Sequence, residues 1–241
     1  MQSRMKSLRK LGIILFSIGV LVGMPLFVMM NWAYFEAYYF FGATAPADKN
    51  LPSLRCPLVL TNTEPGAITA SISNNSDRDL DILIRTEISY YGAATAERTT
   101  HHLAAGETRK LSWSVTSDDM VFGHLILARV FVYGAYTLPS RSSTCGTVMV
   151  NVPGLKGIQL FVIALILSLG SMAAGWSLWL TGSRPLQPEG MVTLRAMVIL
   201  TQVILLGIIA GIFGLWGLGL ICTVVSVVLI YTVVGHSIQK A

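Results

Sequence analysis

Four long stretches without a charged residue constrain this chain more than any other feature. They cover residues 11–30, 157–180, 196–213 and 218–234. An α-helix needs about 20 apolar residues to cross roughly 30 Å of hydrocarbon. The composition, with 53% hydrophobic and 12% charged residues among 241, is also too apolar for an ordinary soluble domain. The sequence therefore predicts a membrane protein with four transmembrane helices.

The last two stretches are separated only by "GLWGLG" at residues 214–219. One continuous helix through both would hold about 40 apolar residues and overshoot a bilayer about twofold. We therefore expect a hairpin of two helices, transmembrane helices 3 and 4, over residues 196–235.

The basic residues predict the orientation of the chain. They precede the first stretch, lie in the loop between the second and third, and follow the fourth: Arg4, Lys6, Arg9, Lys10, Arg184, Arg195 and Lys240. The positive-inside rule makes residues 1–10, 182–195 and 236–241 cytoplasmic. Transmembrane helix 1 with an outer aromatic extension covers 11–41, helix 2 covers 154–181, and residues 42–153 form an extracytoplasmic domain. The predicted location is a plasma membrane or a bacterial inner membrane.

A cleaved signal peptide is the alternative for the N-terminal region. A basic segment precedes the first apolar stretch, and "ATA" at residues 43–45 resembles a cleavage site. The apolar stretch is longer than a usual signal-peptide core, and the site lies more than ten residues past its end. These features favour an uncleaved signal anchor.

The segment outside the membrane has the short alternating pattern of β-strands. In "DLDILIRTEISYYG", Leu80, Ile82, Ile84, Ile88 and Tyr90 share one face. About seven such strands, separated by turn residues, occur in about a hundred residues. In strand number and turn spacing, residues 54–152 resemble the broad immunoglobulin-like class. The expected fold is an all-β immunoglobulin-like sandwich inserted between helices 1 and 2.

Two of the three cysteines lie in this domain. Cys56 precedes the first predicted strand and Cys145 lies in the last. Disulfides persist outside the cytoplasm, so we expect these two to pair, with two free buried thiols as the alternative. Cys222, within the fourth apolar stretch, is expected to be a small packing residue.

An unusual density of aromatic rings follows the first apolar stretch. The sequence "NWAYFEAYYFF" at residues 31–41 contains Trp32, Tyr34, Phe35, Tyr38, Tyr39, Phe40 and Phe41. Tyr and Trp rings are enriched at membrane interfaces. On a helix these rings occupy more than one face, which exceeds what docking against the chain's own sandwich requires. We expect some of them to anchor the chain in the interface and the rest to contact a neighbour.

Small residues one helical turn apart occur in three of the four apolar stretches. They are Gly19 with Gly23, Ser171 with Gly175, and Gly207 with Gly211. Such pairs allow close packing of helices in lipid. They are predicted to pack the chain's own bundle, with partner subunits as the alternative.

The sequence carries few groups that could perform chemistry. The apolar stretches contain no ionisable residue of the kind that proton relays and ion-coupled transporters need. His101 and His102 are adjacent, so on a strand they point to opposite faces. "NNS" at residues 74–76 matches the glycosylation pattern, but no catalytic or phosphate-binding motif is present. We therefore expect no enzymatic activity, no cofactor and no metal, and the net charge of +5 reflects topology rather than nucleic-acid binding.

These observations predict a non-catalytic accessory or scaffolding subunit of a larger integral membrane complex. A respiratory or photosynthetic complex is one host that the sequence allows. The expected partners are other integral membrane subunits and lipid, and the sequence identifies no small-molecule ligand. The alternative is a surface receptor or adhesion protein that binds through the loop "YGAYTLPSRSST" at residues 133–144. A cofactor-bearing subunit is a third possibility.

Overall fold

The computed structural model describes residues 2–42, 47–90, 93–135, 138–183 and 188–238. The alternative cleavage site at 43–45, Arg184 and Lys240 lie outside these residues. Four helices and eight strands follow in chain order: α1 Gln2–Phe40, β1 Lys49–Asn50, β2 Val59–Thr61, β3 Gly66–Ser73, β4 Leu80–Tyr90, β5 Ala93–Leu103, β6 Thr108–Val115, β7 Leu125–Val132, β8 Arg141–Val150, α2 Gly157–Gly182, α3 Pro188–Phe213 and α4 Trp216–Ile238. The chain divides into a helical unit, Met1–Asn31 with Gln159–Ala241, and a β unit, Trp32–Ile158.

Among the residues that the structure describes, three helices are long and apolar enough to cross a membrane. The candidate spans are Ser7–Phe40, Gly157–Gly182 and Gly190–Phe213. The described apolar part of α4, Trp216–Tyr231, is shorter. Gly214, with a φ of 70°, follows the end of α3, and this left-handed conformation is one that glycine adopts without strain. The chain therefore reverses between α3 and α4 within two residues.

Glycines bring the helices of the helical unit close together. A Cβ at Gly19 would lie 2.6 Å from the Met172 side chain, and one at Gly207 would lie 2.6 Å from the Phe27 ring. The Ser168 hydroxyl donates a hydrogen bond to the Gly19 carbonyl at 2.9 Å. The small residues of α1 and α3 therefore contact helices of this same chain.

The other predicted small residues have similar surroundings. A Cβ at Gly23 would collide with the Ser168 hydroxyl, and one at Gly211 would meet Met30 at 3.0 Å. A Cβ at Gly175 would lie 2.5 Å from the Phe16 nitrogen of the α1 backbone, whereas Ser171 is half-buried. All five glycines singled out by spacing thus line contacts between α1 and α2 or between α1 and α3.

A buried asparagine fixes the contact of α1 with α3. The Asn31 amide donates to the Phe27 carbonyl at 2.7 Å and to the Gly207 carbonyl at 3.0 Å. Gly219 of α4 lies directly against the same amide, where any side chain would collide with it. Because few other partners exist in an apolar bundle, such a bond is retained once formed.

The β unit is a β-sandwich of two sheets. The larger sheet has the order β1-β8-β7-β4-β5, with β2 also pairing with β8, and the smaller sheet is β3-β6. Both β1 and β2 run parallel to β8, whereas the other pairings are antiparallel. Ile68, Ile72, Ile82 and Ile84 are among the residues buried in this unit.

Both faces of β7 are covered, which explains why all eight of its residues are buried. Successive side chains of a strand point to opposite faces. Leu125 and Leu127 pack in one cluster with Ala33, Ala37 and Phe41 of α1. The alternate residues share the face of Ile84, with which Val132 is paired. The last turns of α1 therefore form a third layer on the larger sheet.

Candidate functional site

The aromatic residues at the end of α1 divide into two groups. Tyr34 and Phe41 are buried within the β unit, and Phe40 is half-buried. The exposed fractions of Tyr38 and Tyr39 are 52% and 62%, and Trp32 is also exposed. On a helix with about 100° between residues, this division separates the face toward the sheet from the face away from it.

The outward rings contact one another along the helix. Ring centroids are 5.2 Å apart for Trp32 and Phe35, 4.6 Å for Phe35 and Tyr39, and 5.5 Å for Tyr38 and Tyr39. Centroid distances of about 4.5–7 Å are typical of favourable aromatic pairs. We call these four residues the aromatic ladder. A preformed ladder loses little side-chain freedom when it binds, which suits a docking surface.

The opposite face of the same helix segment is held by small residues. Ala33 and Ala37 are fully buried. Gly146 of β8 lies against the Ala33 backbone, so that a side chain at position 146 would collide with the Ala33 carbonyl. The absence of side-chain bulk on both elements lets the helix lie directly on the sheet.

A buried arginine fixes the C-terminal end of this segment. The guanidinium of Arg129 on β7 donates to the Phe41 carbonyl at 3.4 Å and to the Ser142 hydroxyl at 3.3 Å. It also lies 3.8 Å from the Glu87 carboxylate, which is paired with Arg85 as well. A cation near the C-terminus of a helix is stabilising. Arg129 therefore helps to fix the ladder's helix on the β unit.

Phe122 is an exposed aromatic residue that the sequence pattern did not indicate. It has a φ of 52° in the turn before β7, and 58% of its surface is exposed. Its ring lies 6.1 Å from that of Phe40. His124 Nδ1 donates to the Phe122 carbonyl at 2.6 Å, which supports the turn. A left-handed backbone conformation is uncommon for a bulky residue, and no pattern in the sequence predicts one at Phe122.

The predicted disulfide is confirmed. Cys56 and Cys145 are bonded, with their Cα atoms 5.9 Å apart. The bond connects the segment before β2 to β8, and a disulfide is consistent with an oxidising compartment. Cys222 is a buried free cysteine in α4.

The loop proposed for ligand binding is shorter than the sequence indicates. Arg141–Thr144 belong to β8, where they pair with residues 129–132 of β7. Arg141 and Ser142 pair in addition with Lys49 and Asn50 of β1. Tyr136 and Thr137 lie outside the described residues. The second half of the predicted loop is therefore part of a strand. Its polar sequence does not reveal the backbone pairing with β7 and β1.

The asparagine of the predicted glycosylation motif is buried and hydrogen-bonded within the domain. Asn74 is fully buried, and its side-chain nitrogen donates to the carbonyls of Arg78, Leu103 and Ala104 at 2.7, 3.1 and 3.0 Å. A glycan would be attached to this same nitrogen. In the folded domain Asn74 serves to close the turn between β3 and β4.

The two adjacent histidines of β5 each contact a different neighbour. His102 Nδ1 lies 2.9 Å from the Asp81 carboxylate, whereas His101 contacts the Thr99 hydroxyl at 3.2 Å. No group of three or more His, Cys, Asp or Glu side chains could hold a metal ion within the described part of the chain. Asp119 accepts a bond from the Thr116 backbone in the capping box of a short 3₁₀ turn, so it has a local structural partner.

Two carboxylates, the exposed Asp48 and the half-buried Glu107, have a lowered pKa. The pKa of Asp48 is lowered chiefly by hydrogen bonds from the Ser140 side chain and backbone, at 2.7 and 3.0 Å. The pKa of Glu107 is lowered first by the hydrogen bond from the Ala104 backbone and further by Arg109. Both carboxylates stabilise connections between strands rather than a reactive site.

Comparisons with known proteins leave the family open. No protein-family model and no curated protein matches the chain. The β unit is similar to the CARDB domain of a Pyrococcus furiosus protein solved with di-metal ions, at 13% identity and a TM-score of 0.32, covering 41% of this chain and 90% of that one. It is also similar to a Listeria innocua beta-glucosidase, at 19% identity and a TM-score of 0.30, covering 40% of this chain and 15% of that one. These scores are too low to support any functional argument.

Proposed function

We propose that this chain is a non-catalytic accessory subunit of a larger integral membrane complex. In this proposal four helices cross the membrane, both termini are cytoplasmic, and an immunoglobulin-like sandwich stands outside. The aromatic ladder is the surface that contacts the neighbouring subunit. The observation that carries the proposal is the exposure of Tyr38 and Tyr39 near the C-terminal end of a helix of 39 residues.

The length of α1 supports a location of these rings outside the lipid. The helix has 39 residues and is therefore about 58 Å long. If the basic residues Arg9 and Lys10 mark the inner boundary, about 20 residues bring the outer edge of the hydrocarbon to Met30. Tyr38 and Tyr39 then lie about 12–14 Å farther along the helix axis.

This distance favours a protein neighbour over lipid for the two tyrosines. The headgroup layer adds only about 5–8 Å on each side of the hydrocarbon. A tilt of about 20° shortens the distance by less than about a tenth. Trp32 falls at headgroup depth and is suited to interfacial anchoring. Exposed adjacent aromatics beyond the lipid are a common feature of protein–protein interfaces.

The packing of the helical unit supports the same assignment. The small residues Gly19, Gly23, Gly207 and Gly211 lie against α1, α2 or α3 of this chain. Because these glycines already contact helices of the same chain, the aromatic ladder is the better candidate for a contact with another subunit.

The experiment is affinity purification of the full-length tagged protein in mild detergent, with mass spectrometry of the recovered complex. We expect integral membrane proteins in fixed ratio with the wild type, and a reduction of at least about tenfold for the double variant Tyr38→Ala/Tyr39→Ala. Two exposed interface aromatics together contribute about 1.4 kcal/mol or more, which corresponds to that factor.

The matched control is Tyr231→Ala, which removes an exposed aromatic ring from α4. Its recovery of partners should equal that of the wild type. Equal recovery with the double variant would contradict a role for the ladder. Recovery of the wild type alone would contradict the accessory function and favour a receptor.

A further inference from the structure

A cleft of about 380 Å³ opens in the β unit between one face of the larger sheet, near its β5 side, and strand β6 of the smaller sheet. Its lining includes Glu97, Thr99 and His101 of β5, and residues 111–114 of β6. In the described structure β5 ends the larger sheet and pairs with β4, while β6 pairs with β3. The cleft therefore adjoins two edge strands.

The cleft follows the backbone edge of β6. Successive residues of a strand point to opposite faces, so a pocket on one face would touch every second residue. Here four consecutive residues, 111–114, line the cleft. Leu111 and Trp113 are half-buried, whereas Ser112 and Ser114 are exposed. A cleft that touches both sets runs along the edge, where backbone N–H and C=O groups point outward.

The smaller sheet leaves part of the larger one uncovered at this position. Residues 93–98 of β5 are exposed, although Glu97 is paired with the buried Thr86 and shares its face. A third strand beside β6 would cover this surface. The C-terminal five residues of β6, "LSWSV", carry no charge or proline of the kind that blocks edge pairing; the charged residues of this strand, Arg109 and Lys110, precede them.

The chemistry of the cleft indicates what such a strand would carry. Among the described residues that line it, Glu97 has the only formal charge. Ile88, Leu111 and Trp113 supply apolar surface. A basic side chain would face the carboxylate, and aliphatic side chains two residues away would face the apolar surface.

We propose that this cleft binds an extended, basic peptide segment of a partner protein, which adds to β6 as a third strand. Backbone hydrogen bonds to the β6 edge supply affinity, and Glu97 with Trp113 selects the sequence. This site is independent of the aromatic ladder.

The test uses the full-length protein in lipid nanodiscs and capped fluorescent peptides of about seven residues, in which valine alternates with threonine. One peptide has lysine at its centre and a second has glutamate. Two further lysine peptides carry N-methyl groups on the backbone amides of one edge or the other. Fluorescence anisotropy measures binding.

We expect the lysine peptide to bind about tenfold more tightly than the glutamate peptide. N-methylation should abolish binding on one edge and be tolerated on the other. Glu97→Gln should reduce the preference for lysine to less than about threefold. Asp118→Asn, which removes an exposed carboxylate that does not line the cleft, should leave the preference unchanged.

Three results would overturn the proposal: no binding of the lysine peptide, equal binding of the lysine and glutamate peptides, or insensitivity to N-methylation on both edges. The remaining alternative occupant is a second copy of this chain. Ser112→Cys in a Cys222→Ala background would then form a disulfide-linked dimer under conditions where Thr95→Cys does not, and the proposal would fail.

Discussion

At the scale of single residues, the close approach of α1 to the larger sheet depends on the small side chains at the contact. Gly146 lies against the Ala33 backbone, and Ala33 and Ala37 are fully buried. The same contact turns Tyr38 and Tyr39 outward, because they occupy the other side of the helix. The exposure of the ladder is thus a consequence of packing on its opposite face.

We predict that Gly146→Ala lowers the free energy of unfolding of the β unit by about 1–3 kcal/mol, the usual cost of overpacking a close contact. The added methyl group meets backbone atoms of Ala33, which cannot rotate away as a side chain would. The measurement is thermal unfolding of the purified protein in detergent. Gly170→Ala is the matched control, because its methyl group would have no heavy atom within 4 Å, and it should melt at or above the wild-type temperature. A wild-type melting temperature for Gly146→Ala would refute the prediction.

At the scale of elements, β8 organises the β unit. It pairs with β1 and β2 in parallel, with β7 in antiparallel register, and it carries one half of the disulfide. Its first four residues, Arg141–Thr144, are polar and do not resemble a strand in the sequence. They are strand because partners on both sides supply hydrogen bonds, which is tertiary information.

We predict that Cys56→Ala/Cys145→Ala destabilises the β unit by up to about 4–5 kcal/mol in the chain-entropy model, because the bond closes a loop of 89 residues. The check is the thermal unfolding midpoint measured with and without reductant. Reductant should lower the midpoint of the wild type and leave that of the double variant unchanged. Cys222→Ala removes a cysteine that forms no bridge and should retain the response to reductant. A wild-type midpoint that is insensitive to complete reduction would contradict this expectation.

The sequence predicted some elements well and others poorly, for physical reasons. The run of residues 125–132, apolar except for Arg129, is typical of a strand covered on both faces, and two cysteines near the ends of one domain predict the disulfide. The partial burial of the aromatic segment was not foreseen. Phe41 packs in one cluster with Val121, Leu125 and Val148, which lie far along the chain, and the periodicity of the helix alone cannot show this contact. Two features of the sequence do indicate a helix on this face of the sheet. An apolar strand such as β7 must be covered on both faces, and "CGT" at residues 145–147 places a glycine in the neighbouring strand.

At the scale of the whole molecule, the number of membrane spans determines on which side of the membrane each connection lies. Three helices are candidate spans, and α4 is the shorter fourth apolar helix. If α1, α2 and α3 each cross the membrane, the turn between α3 and α4 lies on the same side as the β unit, whether or not α4 crosses as a fourth span. A chain with three spans would not cross again after α3.

We predict that, in a Cys222→Ala background, a membrane-impermeant maleimide added to intact cells labels Thr95→Cys and Leu215→Cys but not Ser7→Cys. All three positions are exposed in the structure. Ser7→Cys should react only after the membrane is permeabilised, which serves as its positive control. Labelling of Ser7→Cys in intact cells would reverse the predicted orientation. An unlabelled Leu215→Cys that reacts after permeabilisation would exclude the outward hairpin.

The position of β8 at the end of the domain sets an order of events during biosynthesis. Neither β1 nor β2 has its partner until the ribosome has made residues 141–150, and Cys56 waits for a cysteine 89 residues later. At about 5–20 residues per second, that interval is roughly 4–18 s. During it, the newly emerged segment carries a reactive thiol and two unpaired strands. A chaperone, or an oxidoreductase that holds Cys56 as a mixed disulfide, would have its period of action within this interval.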